Sequence, residues 1–219
     1  MKWTGDDLHQ MANEAEGHGW ALRAGTLENL LAAVDELGWW RVPTRQGAPS
    51  VSLLRPTTQL ESHPNSLSAR FGMGQLPLHT DGAHLHSPPR FVALTAAAAT
   101  ETPTLLWRVR GHPLLAVPHD AFDRGIFIVQ GGRRSFLAHA RENGIYRFDP
   151  VAMSPANQDG RRVATYFESA AELVTAHEWL DAHSVLLIDN AQVVHGRAAT
   201  RNAERLVRRV AFSKERIGA

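Results

Sequence analysis

Apolar residues recur at helical spacing near the start of the chain. Four leucines and a valine between Leu27 and Leu37 fall on one face of a helix. Thr26 precedes this run as a candidate N-cap, and Gly38 follows it as a candidate end of the helix. The pattern therefore predicts a helix over 27–37 that packs outside a sheet.

A second helical pattern occurs late in the chain. Ser169 and Glu172 have the spacing of a capping box, and residues at helical spacing follow as far as Leu180. The pattern predicts a helix here, with His177 on its face in a structural role.

The rest of the chain alternates short apolar runs with glycine and proline. This arrangement is typical of a β sandwich or barrel, and a jelly roll leaves few strand edges exposed. We therefore predict a mainly β protein with flanking helices. The predicted strands are 39–42, 50–54, 66–71, a strand that ends near His79, 90–95, 104–109, 127–129, 145–148, 185–188 and 205–212.

Length and composition restrict the domain organisation. The chain has 219 residues, 43% of them hydrophobic, which is enough for one well-buried core and short for two. We expect a single domain over 1–219, with an N-terminal region of helix and strand over 1–65 and a jelly-roll core over 66–219.

Charge and cysteine content restrict the partners. The net charge of +1 is too small to give the protein a large electrostatic potential of one sign. We therefore expect neither nucleic acid nor a membrane surface as a partner. The absence of cysteine excludes disulfides and thiolate metal sites. The sequence has no apolar signal core and no run that approaches about 18 apolar residues, so we expect a cytoplasmic protein. Oligomeric state is not indicated.

The candidate chemistry centres on His79 and Asp81. If they lie on a strand, both side chains point the same way. A nitrogen and an oxygen ligand suit a first-row divalent metal, and a second histidine, for which His195 is the candidate, would complete the ligand set of non-heme Fe(II) oxygenases. A His-x-Asp pair also arises by chance in a chain with 12 histidines, on a surface or in a turn.

A candidate anion-binding residue follows His195. Arg209 lies fourteen residues on, in a run that predicts a strand, and its guanidinium could hold a dicarboxylate through two hydrogen bonds. Strand alternation places Arg205 and Arg209 on one face and Arg208 on the other. Both faces contain apolar residues, so the pattern does not choose between Arg208 and Arg209.

Five segments, taken in order, resemble one family of enzymes, the TauD and clavaminate synthase-like Fe(II)/2-oxoglutarate-dependent dioxygenases. The segments are PLHTD, PTLLW, YRFDP, LLIDNAQVVHGR and RLVRRVAF, and they span 77–212. The resemblance implies a double-stranded β-helix, the jelly roll predicted above.

The resemblance also implies roles for individual residues. His79, Asp81 and His195 would ligate Fe(II), and Thr104 and Arg209 would bind the far carboxylate of 2-oxoglutarate. Arg205 would approach the carboxylate nearer the metal, although a solvated surface arginine is a comparable interpretation. Thr104 could equally be an ordinary β-branched strand residue.

The implied activity is the oxidation of an unactivated C–H bond in a small molecule. Hydroxylation is the favoured form of this oxidation. O2 would be the oxidant, and 2-oxoglutarate would be converted to succinate and CO2. The carboxylate of Asp81 favours hydroxylation or a related oxidation, because related halogenases have a small residue at that position.

Two other classes of protein stay open as interpretations of the sequence. One is a cupin-like metal enzyme that does not use 2-oxoglutarate. His84 and His86 form a His-x-His, but the glutamate that such a site needs is missing from the residues that follow. The other is a non-catalytic jelly-roll binding protein.

A basic stretch over 131–136 is a candidate for substrate recognition. Together with His139 and Arg141 it could contact a carboxylate or sulfonate of a substrate. A solvated strand face is the alternative interpretation.

Overall fold

The computed structural model describes residues 2–43, 49–64, 66–96, 98–109, 117, 119–132, 134–201 and 206–215. The helices of this part of the chain are α1 (Gly5–His18), α2 (Leu27–Glu36), α3 (Leu67–Phe71), α4 (Ala121–Arg124) and α5 (Gln158–Ala170). None of the helices formed by the described residues is long and apolar enough to cross a lipid bilayer.

Strands outnumber helices in the described residues. They are β1 (Trp20–Ala24), β2 (Trp40–Arg41), β3 (Val51–Leu54), β4 (Leu76–His79), β5 (Phe91–Ala96), β6 (Thr100–Arg108), β7 (Ile126–Gly131), β8 (Arg134–His139), β9 (Arg141–Glu142), β10 (Ile145–Tyr146), β11 (Met153–Pro155), β12 (Thr175–Trp179), β13 (Ser184–Asp189), β14 (Val193–Arg197) and β15 (Val207–Ser213).

Two antiparallel sheets form a sandwich. The larger sheet has the order β1-β13-β5-β15-β2, and β3 also pairs with β15. The second sheet has the order β12-β6-β14-β4. Smaller sheets, β11-β7-β8 and β9-β10, accompany the second sheet, and the order mixes strands that are distant in the chain, as a jelly roll requires.

Apolar core covers both faces of the larger sheet, and a further apolar cluster covers the outer face of the second sheet. Strand β5 is buried at every position because its two faces are both covered, which explains its unbroken apolar run. Phe91 and Ala93 pack with the outer helices α1 and α2, whereas Val92 and Leu94 pack inward with Leu106 of the second sheet. The space between the sheets is therefore a packed apolar interior, and a polar group buried there is expected to have a structural or functional role.

The first predicted helix is confirmed. The Thr26 hydroxyl accepts the Asn29 backbone N–H at 3.3 Å, as an N-cap does. Helix α2 ends at Glu36, and Gly38 follows with a φ of 65°, a left-handed conformation that favours glycine.

Two predicted elements are wrong. The predicted strand 66–71 is the short helix α3, which is capped by the Ser66 hydroxyl on the Ala69 N–H. The predicted late helix is also displaced, since α5 ends at Ala170 and its N-cap is Asn157. Residues 175–179 form β12 instead, because pairing with β6 satisfies their backbone there.

Candidate metal centre

His79 and His195 face each other across two neighbouring strands. They are direct partners in the antiparallel pair β4 and β14, so both side chains point to the same face of the second sheet. Their ring centroids are 4.7 Å apart. Antiparallel pairing thus brings together two residues that are far apart in the chain.

Asp81 completes the cluster from the turn that follows β4. Its Oδ1 lies 3.8 Å from His79 Nε2, and its Oδ2 lies 3.8 Å from His195 Nε2. One ligand atom of each of the three residues can be chosen so that all lie within 4.8 Å of one another. All three side chains are buried, so the structure brings the predicted trio together away from bulk water.

The ring nitrogens of the two histidines are placed to suit a metal. His79 Nδ1 lies 3.1 Å from the Pro77 carbonyl oxygen, which can only accept, and Nε2 faces Asp81 at 3.8 Å, so a ring with its proton on Nδ1 would present the Nε2 lone pair to a metal. Burial and the neighbouring His79 lower the pKa of His195 to about 3, so its ring is neutral at neutral pH. Metal binding needs unprotonated nitrogens such as these.

Asp81 is ionised for a different reason. Burial alone raises the pKa of Asp81, but the Arg209 guanidinium and the two histidines outweigh that effect and hold the pKa below its ordinary value. Its Oδ2 is buried with no hydrogen-bond partner among the described residues, and so is His195 Nδ1. An unsatisfied buried acceptor is costly, and a divalent cation held by Asp81 Oδ2 and one nitrogen of each histidine would remove that cost for Oδ2. The donor set therefore fits Fe(II).

Arg209 is the cation of this site. It lies on the inward face of β15 with Val207 and Ala211, and its Nη1 donates to Asp81 Oδ1 at 2.6 Å. Arg208 points to the outer face, where it lies 3.7 Å from Glu28. The structure thus places Arg209, and not Arg208, beside the cluster. Arg205 lies outside the described residues.

Thr104 lies on β6 and faces the same interior. It is the strand partner of Arg197, two positions along from the pair formed by Leu106 and His195. The Trp179 indole N–H donates to the Thr104 hydroxyl at 3.0 Å. The hydroxyl is therefore held inside the sandwich.

The remaining candidate histidines lie elsewhere. His177 lies on β12, not on a helix, opposite Thr104 and against the ring of Trp179 at 4.5 Å. His86 stacks on Phe136 at 4.2 Å. Among the described residues, neither His84 nor His86 belongs to a group of possible metal ligands, so no feature favours the cupin-like arrangement.

The basic stretch forms the hairpin of β7 and β8. Arg134 is exposed, and Arg133 lies outside the described residues. Arg141 forms an ion pair with Asp123 at 2.7 Å. Phe136 of this hairpin stacks on His86, in the loop that follows Asp81, so the hairpin contacts that loop. A role of the basic stretch in substrate binding stays a prediction.

Two buried arginines that were assigned no role tie down loops next to the cluster. Arg147 donates to the backbone carbonyls of Ala83, Leu85 and His86, just after Asp81. Arg197 donates to the carbonyls of Gly72 and Gly74, just before β4. Both arginines fall within segments that carry the family resemblance, which is the signal that could have identified them.

Asn190 was also assigned no role. It is fully buried in the turn between β13 and β14, and its side chain forms hydrogen bonds to both main-chain groups of Asp81. It too lies within a segment that carries the resemblance. Asn190 and Arg197 thus share a segment with His195, whereas Arg147 lies in a segment that holds none of the trio.

Sequence comparison finds no match, either to a family model or to a curated protein. Comparison with solved structures finds clear similarity in fold. The non-heme iron oxygenase OrfP in complex with Fe and alpha-ketoglutaric acid is 19% identical with a TM-score of 0.72, over 95% of this chain and 79% of that chain. An asparagine oxygenase in complex with Fe(II), 2S,3S-3-hydroxyasparagine and succinate is 14% identical with a TM-score of 0.69, over the same shares of the two chains.

The structural similarity covers nearly the whole chain. It confirms the mainly β jelly roll predicted from the sequence, and it confirms the resemblance to iron and 2-oxoglutarate oxygenases at the level of the fold.

Proposed function

We propose that this chain is an Fe(II)- and 2-oxoglutarate-dependent dioxygenase that hydroxylates an unactivated C–H bond of a small molecule, with release of succinate and CO2. The observation that carries the proposal is the buried trio of His79, Asp81 and His195, with Arg209 bonded to its carboxylate. A binding protein would have no need of this combination, because burying these polar groups without partners is costly.

The three residues of the trio would hold the iron. His79 and His195 would each supply a neutral imidazole nitrogen, and Asp81 would supply an ionised carboxylate oxygen. Bound iron supplies the redox chemistry through which O2 oxidises both 2-oxoglutarate and the substrate.

Arg209 would bind the far carboxylate of 2-oxoglutarate. Its position on the inward face of β15 supports this role, because a dicarboxylate that enters the interior meets a fixed cation there. The bond to Asp81 compensates the charge of the guanidinium in the meantime. Binding of the cosubstrate would therefore exchange one carboxylate partner of Arg209 for another.

Thr104 would donate a second hydrogen bond to that carboxylate. An indole N–H can only donate, so the Thr104 hydroxyl accepts from Trp179, and a hydroxyl that accepts one hydrogen bond can also donate one to a carboxylate. Arg205 would approach the other carboxylate, which stays a prediction from the resemblance.

The interior between the sheets would keep water from the reacting groups. Leu94, Leu106 and Val193 belong to the apolar cluster around the inward faces, and each is almost completely buried. A dry site strengthens the charge interactions of Asp81 and Arg209 and protects reactive species from side reactions.

Amino acids and their derivatives are the first substrates to test. The structural neighbours bind (3S)-hydroxy-L-Arg in one case and a hydroxyasparagine in another. The net charge of +1 gives no support for nucleic acid or a membrane as a partner.

The test is an aerobic incubation of the protein with Fe(II), 2-oxoglutarate and a panel of amino acids. We expect succinate to form, and one substrate to gain the mass of one oxygen atom. Asp81→Ala should abolish both products, whereas Asp123→Ala, which changes a surface carboxylate paired with Arg141, should not. Succinate formation that is the same in Asp81→Ala and in the unmodified protein would overturn the proposal.

A further inference from the structure

We infer that Asn190 is a positioning residue that fixes the backbone of Asp81 in the orientation needed for metal binding. The inference rests on the proposed function, because it assigns to Asn190 a role at the same metal centre.

The Asn190 side chain holds both main-chain groups of Asp81. Its Oδ1 accepts the Asp81 N–H at 3.0 Å, and its Nδ2 donates to the Asp81 carbonyl at 3.0 Å. Nδ2 also donates to the Pro89 carbonyl at 2.8 Å. Asn190 has an exposure of 0%, so water does not compete for these bonds.

Asp81 needs such a partner because of its place in the fold. Strand β4 ends at His79, and Gly82 turns the chain with a φ of 69°. The strand pairing that orients His79 against His195 therefore does not extend to Asp81. A carboxamide carries an acceptor and a donor side by side, as a peptide group does, so Asn190 replaces the missing strand partner.

Asn190 is itself held in place. Its N–H donates to the Arg90 carbonyl at 3.0 Å, and the preceding side chain, Asp189, bonds to the Arg90 guanidinium at 3.0 Å and to Gln192 at 2.8 Å. The turn that carries Asn190 continues into β14, which carries His195. Asn190 thus connects the backbone of one proposed ligand to the strand of another.

The chemistry of the side chain is specific to asparagine. Asn190→Asp keeps an acceptor for the Asp81 N–H but places an oxygen opposite two carbonyl oxygens, which repel it. Asn190→Ala leaves the N–H of Asp81 and the carbonyls of Asp81 and Pro89 without this partner. Either change should let Asp81 move relative to the two histidines while the three ligand side chains stay present.

The test is calorimetric titration of the purified, metal-free protein with Co(II), a redox-stable substitute for Fe(II). We expect Asn190→Asp and Asn190→Ala to weaken Co(II) binding by about 10- to 100-fold, the usual effect of removing a group that orients a metal ligand. Tyr166→Phe is the matched control. It removes a buried hydroxyl that accepts the Trp107 indole N–H at 2.9 Å in another apolar cluster, and it should leave Co(II) affinity unchanged.

The possible outcomes distinguish a failure of the proposed function from a failure of the role inferred for Asn190. If the unmodified protein fails to bind Co(II), or if Asp81→Ala binds it equally well, the proposed function fails and this inference fails with it. If Asp81→Ala loses binding while both folded Asn190 variants retain the affinity of the unmodified protein, the inference alone is overturned.

A second measurement covers the case in which the variants do not fold. Amide hydrogen exchange of the unmodified, metal-free protein should show the Asp81 N–H protected as strongly as amides within β5. Exchange at the rate of exposed turn amides would show that Asn190 does not hold Asp81, and it would overturn the inference.

Discussion

Arg209 donates from Nη1 to Asp81 Oδ1 over 2.6 Å, and this bond joins the two sheets of the sandwich across a buried interior. The guanidinium comes from β15 of the larger sheet, and the carboxylate follows β4 of the second sheet. A buried ion pair is tolerated only when both charges are matched. The contact therefore places Arg209, the residue proposed to bind the cosubstrate, directly against Asp81, a proposed metal ligand.

Replacing Arg209 should weaken the use of 2-oxoglutarate. A hydrogen bond to a charged group contributes about 1.5–3 kcal/mol, so Arg209→Met should raise the KM for 2-oxoglutarate by about 10- to 100-fold. Steady-state kinetics with varied 2-oxoglutarate measures the change. Arg208→Met is the matched control from the same strand, and an equal rise of KM in both variants would contradict the assignment of Arg209.

Thr104→Val should weaken the binding of 2-oxoglutarate, and a second valine variant on the same strand shows whether a loss of stability alone explains the effect. The change removes the proposed donor to 2-oxoglutarate, so the KM for 2-oxoglutarate should rise by about tenfold, and the Trp179 indole N–H loses the acceptor that it has at 3.0 Å. Thr102→Val on the same strand removes a hydroxyl that donates to Thr200 at 2.8 Å, which makes it a control for stability. Thr104 has no role in cosubstrate binding if both valine variants show the same KM.

Arg147→Lys should loosen the loop after Asp81. An ammonium group cannot reproduce the planar fork that reaches the carbonyls of Ala83, Leu85 and His86, so we expect a loss of about 1–3 kcal/mol in the free energy of unfolding. Denaturant unfolding measures the loss. Arg134→Lys changes an exposed arginine and should have almost no effect, so comparable losses in the two variants would contradict a clamping role.

The metal-free protein should lose stability as the pH falls below about 6.5. The pKa of His195 is about 3 in the folded state and about 6.5 when unfolded, so between these values only the unfolded state takes up the proton. Stability is unaffected by this group above pH 6.5, and it falls by at most about 1.4 kcal/mol per pH unit as the pH drops towards 3.

The comparison of the unmodified protein with His195→Gln isolates this contribution. Unfolding free energies measured between pH 7 and pH 4 should depend more weakly on pH in the variant. Asp189 works in the opposite direction in this range, because burial raises its pKa to about 6, but it is present in both proteins and cancels. Identical pH slopes would show that His195 titrates normally in the fold.

The sequence indicated the clustering of His79, Asp81 and His195 better than it indicated the elements around them, and their role as metal ligands stays a proposal. The family resemblance marks both His79 and Asp81, whereas the strand alternation that would place them on one face does not apply, because β4 ends at His79 and Asp81 lies in the turn that follows. The helix predicted after Ser169 was wrong, since β12 forms only through its pairing with β6 and leaves no clear local signal. The sequence does contain the apolar spacing of α5, which places Val163, Phe167 and Ala170 on its buried face.

Asn190 illustrates what one sequence cannot supply. Its hydrogen bonds to Asp81 join residues separated by 109 positions, and no periodicity or local motif encodes a contact of that range. Strand alternation also left Arg208 and Arg209 equivalent. Packing of Arg209 against the interior and of Arg208 towards Glu28 distinguishes them only in the folded chain.

The most direct test of the central claim is an anaerobic optical titration of the metal-free protein with Fe(II) and then 2-oxoglutarate. We predict a weak visible band from 2-oxoglutarate chelated to Fe(II) in the unmodified protein and in Asp123→Ala, and no band in Asp81→Ala. Folded, unmodified protein that shows no band after exposure to both Fe(II) and 2-oxoglutarate would contradict the account.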